Sequence, residues 1–355
     1  MKMKRRNLLK LGLLALSLAL SAALAEIVLR LFYPTPYYGY KYIPPQQQLF
    51  QYDAVLGWKG RPDATGIFAS ADFRVSVTHD RYGHRNATPP FVHGKKSILV
   101  LGDSFGWGWG VEDAEVFSSY LTSRSRNINL YNLSAPGYGT DQEYLTLKQF
   151  LEANDPLVPT GVFLLFYSND FQDVLDTVRY SYPKPRFVVR DETLVLENVP
   201  VPDLRKSEYD KPSRDQLQLH PSLLRHSHLY NLFHERGDAT LRKIFTRPSG
   251  PPAPAPESRT NHALTVLLLR HIEALCKQRG MFFHVILLMT ANTYEADRRE
   301  MERLRAELET MHIEHSDFLS RTFPSTDLWL DGHLSKYGHE VLGSHVQDVL
   351  RKKGI

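Results

Sequence analysis

Ser97-Ile98-Leu99-Val100-Leu101-Gly102-Asp103-Ser104-Phe105 is the stretch on which the reading of this chain turns. Its first half is an apolar run with no polar alternation, cut short by glycine. Such a run marks a strand buried on both faces, as in a parallel sheet, rather than one with a solvent-facing side. Glycine lets the backbone turn sharply off the strand. The turn delivers a serine beyond the carboxyl end of a strand, where open α/β sheets collect their ligands.

Three further runs have the same texture: Ile128 to Asn132, Val162 to Tyr167 and Phe282 to Leu288. Helical patterns separate them at Ala114 to Ser123, Asp141 to Ala153, Ala263 to Gln278 and Asp297 to Met311. A last helix is expected from about Ser335 to Lys352. Strands alternating with helices predict an α/β fold whose parallel sheet is covered on both faces. The rhythm breaks between about 171 and 261, read as an insertion. It contains a Pro-rich stretch at 247–258 that can be neither helix nor central strand and reads as a surface linker. Before the α/β rhythm, residues 34–96 are rich in Pro, Tyr, Gly and Gln. Pro34, Pro36, Pro44 and Pro45 exclude a long helix at their start. Phe73 to Val77 alternates apolar and polar, as a half-buried strand does. This segment reads as an extension packed on a main domain that begins near residue 97.

The N-terminus is of another kind. Lys2, Lys4, Arg5, Arg6 and Lys10 precede an uncharged apolar run, Leu11 to Ala25. Bases before an apolar stretch read as an export or anchoring signal, with the body of the chain carried outside the cytoplasm. Two outcomes stay open. Ala23-Leu24-Ala25 offers a small-x-small cleavage site, giving a periplasmic or secreted protein. Alternatively the helix continues to about Tyr33 as a tilted single anchor, residues 1–33, with Glu26 and Arg30 near the outer interface. The paired arginines are also compatible with a twin-arginine signal.

The N-terminal charge explains the balance of the whole. The 355 residues carry 43 basic and 39 acidic side chains, a formal charge of +4. Five of the bases lie in the first ten residues, which leaves 38 against 39 acids in the rest. That is no basic surface for phosphate neutralisation, so nucleic acid is not an expected partner. A single cysteine, Cys276, excludes an intramolecular disulfide and a Cys-rich zinc module.

The remaining blocks fall in order after Gly102-Asp103-Ser104-Phe105. Asn132-Leu133-Ser134-Ala135-Pro136-Gly137 follows the second run. Ser168-Asn169-Asp170 follows the third. Asp331-Gly332-His333 precedes the last helix. With these four blocks in this order the chain resembles the SGNH/GDSL hydrolase family, over about residues 97–176 and 262–355. The resemblance implies a flavodoxin-like three-layer α/β/α sandwich and ester or acyl-transfer chemistry. Ser104 is then the expected nucleophile. A serine hydroxyl needs a base within hydrogen-bond reach, and His333 is the candidate. Asp331 would orient the imidazole and stabilise the imidazolium. The oxyanion would be held by the backbone N–H groups of Ser104 and Gly137 and by the Asn169 amide.

Two positions depart from the family pattern. Asp stands two residues before His333, with Leu330 at the usual third position, as in SGNH-like enzymes that acetylate exported polysaccharides. Tyr167 stands where glycine usually precedes the asparagine by two. Each residue also has a plainer reading. Ser104 suits a helix N-cap, Asn169 an Asx turn and Gly137 a simple turn, with Gly139 as a replacement donor. Asp331 could brace the last turn, and Asp103 reads as structural. Gly106-Trp107-Gly108-Trp109-Gly110 lacks nucleotide-binding spacing. Its tryptophans either pack on the domain or offer a sugar platform. His220, His226, His228 and His234, and the set His339, Glu340 and His345, lack zinc-ligand spacing. No metal and no cofactor is expected.

The functional expectation is an extracytoplasmic serine esterase or acyltransferase acting on an O-acyl ester, with an O-acetylated glycan as the favoured substrate class. A lipid ester is the alternative of the same fold. A non-catalytic polysaccharide-binding envelope protein is the alternative of another class. The complete set of Ser104, Asn169, Asp331 and His333 favours the enzyme.

Overall fold

The computed structural model describes residues 5–32, 49–69, 73–85, 94–153, 157–179, 182–191, 193–203, 227, 229, 258–289, 295–319 and 332–355. The chain divides into two compact units. In the first, α1 (Arg5–Phe32) runs without a break through Ala23–Ala25. Leu13, Leu14, Leu16, Leu18, Leu20, Leu24 and Leu31 are exposed. Its Gly12–Leu31 stretch of 20 residues is long and apolar enough to cross a membrane, at about 1.5 Å of rise per residue. Glu26 accepts hydrogen bonds from Ser227 Oγ (2.9 Å) and the Leu229 N–H (2.8 Å) and pairs with Arg30 at 2.8 Å.

The second unit holds the sheet. Four short strands come first: β1 (Phe50–Asp53), β2 (Gly57–Gly60), β3 (Thr65–Ala69) and β4 (Arg74–Thr78). β1 pairs antiparallel with β2, and β3 pairs with β4. The main alternation then runs β5 (Lys96–Leu101), α2 (Ser104–Trp107), a 3₁₀ turn at Asp113–Glu115, α3 (Phe117–Arg124), β6 (Ile128–Asn132), α4 (Thr140–Glu152), β7 (Pro159–Phe166) and α5 (Asp170–Asp173). Four small strands follow: β8 (Val178–Arg179), β9 (Tyr182–Pro183), β10 (Arg186–Arg190) and β11 (Thr193–Glu197). The alternation resumes with α6 (Ser258–Gln278), β12 (Phe282–Met289), α7 (Glu295–Thr310), β13 (His315–Leu319) and α8 (Lys336–Lys352).

Five strands form one parallel sheet in the order β6-β5-β7-β12-β13. Counted along the chain this is 2-1-3-4-5, the flavodoxin-like order, whose switch point lies between the first and third strands. The expected α/β sandwich is therefore present. Its three layers follow from the alternation of side chains along each strand. Leu99, Leu101, Val162, Leu164, Phe166, Val285 and Leu287 face one way, against Leu147 of α4, Ile272 of α6 and Leu304 of α7. Ile98, Val100, Phe163, Leu165, Ile286 and Leu288 face the other, against Phe117 and Leu121 of α3 and Leu342 and Val346 of α8. Both faces are dry, which is why the strands read as continuous apolar runs.

Four of the five strands match the apolar runs. The fifth, β13, is an edge strand paired on one side only, and its His-Ser-Asp half carries no apolar signal. The helix expected from Ala114 begins later, at Phe117, because Asp113–Glu115 forms a tight turn with a reciprocal Glu112–Glu115 cap. The stretch read as a linker at 247–258 lies outside the described residues except for its last residue, where α6 begins. Residues 49–85 pack on the sheet unit: Leu56 and Trp58 share a cluster with Tyr138, Leu145 and Val174. Phe68, Phe73, Val75 and Val77 close over Trp107.

Candidate active site

β5 ends at Leu101, beside the switch point, and the chain turns at once into α2. Gly102 permits the turn because a side chain there would press on Leu165 and Ser134, at 3.2 and 3.3 Å. Asp103 caps α2, its carboxylate accepting the Phe105 N–H at 2.8 Å. Ser104 is thereby set at the first position of a buried turn, itself only 8% exposed. Its Oγ lies 2.8 Å from Nε2 of His333, 229 positions along the chain. When the imidazole carries its proton on Nδ1, Nε2 accepts from the serine hydroxyl, which is the geometry of base and nucleophile. His333 arrives just before α8, after Gly332 with φ 91° and two residues ahead of Ser335, whose hydroxyl caps the helix by accepting the Gly338 N–H.

Aromatic rings enclose this pair. Trp109 stacks on the His333 imidazole with centroids 5.1 Å apart and planes 20° from parallel. Phe105 lies 4.9 Å from the same ring, and Tyr167 lies 4.4 Å from Phe105. Tyr167, at the position where the family pattern has glycine, thus contributes a wall to the site. The two tryptophans do not act alike. Trp107 is 1% exposed and packs under the Arg85 guanidinium at 4.6 Å, so it offers no sugar platform.

The second block supplies a turn on the opposite side. Asn132 binds the Gly106 carbonyl at 2.8 Å, and the Ala135 N–H binds the Gly102 carbonyl at 3.1 Å, so first and second blocks are tied together. Gly137 has φ 77°, a conformation suited to glycine. Trp58 holds this turn through an indole bond to the Pro136 carbonyl at 3.0 Å, and Tyr138 returns a bond to the Trp58 carbonyl at 2.6 Å.

Asn169 sits at the edge of an acidic pocket. Its amide donates to Asp173 at 2.8 Å and to Asp103 at 3.2 Å. Asp103, Asp141, Glu143, Asp170 and Asp173 are all buried. Lys184 pairs with Asp141 at 2.6 Å and Arg179 with Asp173 at 3.0 Å. Burial raises the pKa of every one of these carboxyls, and mutual repulsion adds to the effect at Glu143 and Asp170. For Asp173 burial outweighs Arg179 and Asn169, and its pKa is pushed up to about 7. Such carboxyls hold protons where ordinary ones have lost them.

The structure therefore brings Ser104 and His333 into contact and links Asn169 to Ser104's neighbour Asp103. Asp331 lies outside the described residues. Asp103, read as structural, is the cap of the turn that carries Ser104 and a partner of Asn169. Asn169 engages two carboxylates in this arrangement, so it would have to yield the longer bond to serve an oxyanion. His339 takes the Phe117 N–H on Nδ1 at 3.4 Å and His345 bonds Ser316 at 2.8 Å, so the two serve separate partners. Among the described residues no group of three or more His, Cys, Asp or Glu is arranged to hold a metal ion. Sequence reasoning missed Arg85 and Asp173. Neither carries a motif, and only packing shows what they touch.

No protein-family model matches the chain. No curated protein matches it either. Solved structures with a similar chain path include a protein assigned to the lipolytic G-D-S-L family from Desulfitobacterium hafniense, at 10% identity and a TM-score of 0.41, covering 72% of this chain and 99% of that one. The esterase EstA from a Pseudoalteromonas species, in a form inhibited by monoethylphosphonate, is 12% identical with a TM-score of 0.40, covering 73% and 98%. A family two carbohydrate esterase from Cellvibrio japonicus is 11% identical with a TM-score of 0.37, covering 74% and 62%.

Proposed function

We propose that the chain is a serine ester hydrolase of the SGNH/GDSL type. The observation that carries this is the 2.8 Å contact between Ser104 Oγ and His333 Nε2, at the switch point of a 2-1-3-4-5 parallel sheet. The oxygen of Ser104 attacks the acyl carbon while its proton passes to His333. The tetrahedral oxyanion is met by the Ser104 and Gly137 N–H groups and by Asn169. Asp331 is assigned the role of orienting the imidazole and stabilising the imidazolium. His333 then protonates the departing alcohol, leaving the acyl group on Ser104. Water completes hydrolysis, and a sugar hydroxyl in its place completes transfer.

The working location is outside the cytoplasmic membrane. Support comes from the basic tip followed by an apolar helix with 20 residues able to span a bilayer. An O-acylated glycan is the substrate class favoured by the Asp331-Gly332-His333 spacing. N-terminal sequencing of the exported protein distinguishes the two fates of the helix: a chain starting at Glu26 has been cleaved, and an intact N-terminus marks an anchor.

A fluorophosphonate probe tests the chemistry. The wild type should label at Ser104 and the Ser104→Ala variant should not. Labelling that survives undiminished in Ser104→Ala sinks the assignment of the nucleophile.

A further inference from the structure

We propose that Trp109 is a positioning residue for the His333 imidazole and that Arg85 is the residue that fixes Trp109 in place. The inference rests on the hydrolase reading, since it gives a role to the ring lying on the proposed base.

The bond to Ser104 sets one direction from the imidazole. A second ring stacked on its face at 5.1 Å and 20° restricts the tilt of the ring about that direction. The stack also matches the chemistry. The face of an indole carries negative charge density, so it favours the imidazolium that appears when Ser104 gives up its proton. A residue that holds the base in both orientation and charge state contributes to turnover without touching the ester.

Trp109 can do this only if it is itself fixed, and its surroundings are built for that. It stands between Gly108 (φ 92°) and Gly110 (φ 82°), two left-handed positions. A side chain at Gly108 would strike Val116 at 2.6 Å. Such a turn has little intrinsic rigidity. Arg85 supplies it. The guanidinium is 1% exposed and donates to the carbonyls of Gly108 and Val111, which bracket Trp109. Its Nε binds Asp113 at 2.8 Å, and Asp113 also accepts the Thr78 N–H at 2.9 Å from β4. A buried charge is costly unless its donors are satisfied, and here they are spent on the turn that carries Trp109. Phe68 meets the Trp109 ring edge-on at 4.6 Å and supports it from the same N-terminal segment. The residues at 49–85 thus reach the base through two contacts, Arg85 to the turn and the turn's indole to the imidazole.

The positioning role and a sugar platform make opposite predictions for a substrate with no sugar. The full-length protein, with Trp109→Ala, Trp109→Phe and Arg85→Lys variants, is assayed for Ser104 labelling rate by a fluorophosphonate and for hydrolysis of p-nitrophenyl acetate. For Trp109→Ala the labelling rate and kcat should fall together, by about 10- to 100-fold, the scale of a misplaced catalytic group. KM for the acetate should stay within about twofold, and Trp109→Phe, which keeps a stacking face, should recover most of the loss. Arg85→Lys should resemble Trp109→Ala. An Arg85→Lys variant that labels as fast as the wild type overturns the role of Arg85; if it fails to fold, Asp113→Asn, which weakens the anchor of the same guanidinium, takes its place with the same reading. Wild-type labelling with an equally fast Trp109→Ala overturns the role of Trp109 and leaves the hydrolase reading intact. So does a loss confined to KM, or an equal loss in Phe and Ala. Absence of labelling at Ser104 in the wild type means that the hydrolase reading has failed, and this role with it.

Discussion

Ser104 stands between two unlike neighbourhoods. Toward His333 the surroundings are aromatic: Phe105, Trp109, Phe68 and Phe73, with one guanidinium whose partners are carbonyls and Asp113. Toward Asn169 they are acidic, with five buried carboxyls set against Lys184 and Arg179. The aromatic side is held by dispersion and ring geometry, which do not change with pH. The acidic side is held by an arrangement of charges whose repulsion depends on how many protons remain. The rings packed around His333 do not titrate, whereas the proposed oxyanion donor sits among carboxyls that do, one of which, Asp103, also feels the charge on His333.

The largest effect should come from breaking the aromatic side at its one charge. Arg85→Met removes donors from the carbonyls of Trp107, Gly108 and Val111 and takes the cation from Asp113, so stability should drop by about 3–5 kcal/mol, read from the shift of a urea midpoint. A drop below about 1 kcal/mol would mean that the guanidinium is incidental. On the other side, Asn169→Ala should lower kcat by about 10²- to 10³-fold, the usual loss for one oxyanion donor, without altering the Ser104 labelling site. An unchanged kcat would remove Asn169 from the mechanism and leave it as a brace between Asp103 and Asp173.

Asp173→Asn separates the two sides by their pH response. The Asp173 pKa is raised by burial to about 7, against about 3.9 in the unfolded chain. The folded form therefore binds the proton more tightly, and the stability this confers is complete below about pH 4 and lost as pH rises through about 7. Unfolding measured across that window should show the wild type losing about 1 kcal/mol per pH unit relative to Asp173→Asn. A constant difference would show that Asp173 carries no proton there. The smallest effect is expected from Phe68→Leu, which should cost about 1 kcal/mol through lost packing on Trp109. That cost should not vary with pH above about 5, where no charge on this ring is involved. A sloping cost would join the two neighbourhoods electrostatically.

The fold was readable wherever burial was symmetrical. Ile98 to Leu101 and Val285 to Leu288 are covered on both faces, and both faces leave an apolar mark in the sequence. β13 was not readable, because half of that strand serves side-chain bonds, Ser316 accepting or donating to His284 and His345. Among the described residues β8 pairs with β9 and β10 with β11, outside the main sheet, so the alternation of the sheet's strands and helices does not point to them. In the site, Ser104 and His333 were legible because each stands in a short motif at a strand or helix end. Trp109 was visible as an aromatic in a glycine-rich turn, with nothing in the turn to say which surface it would meet. Arg85 looked like any arginine in an irregular segment.

Periodicity and breaking residues along the chain determined the parallel sheet, the serine at its rim and the apolar N-terminal helix, because each depends on neighbours a few positions away. Only the tertiary structure decided that the imidazole reaches Ser104, that Trp109 lies on it and that a guanidinium from before the sheet secures the turn. Those contacts join residues 23 to 229 positions apart, and their geometry is set by how the intervening elements pack, which no local pattern encodes.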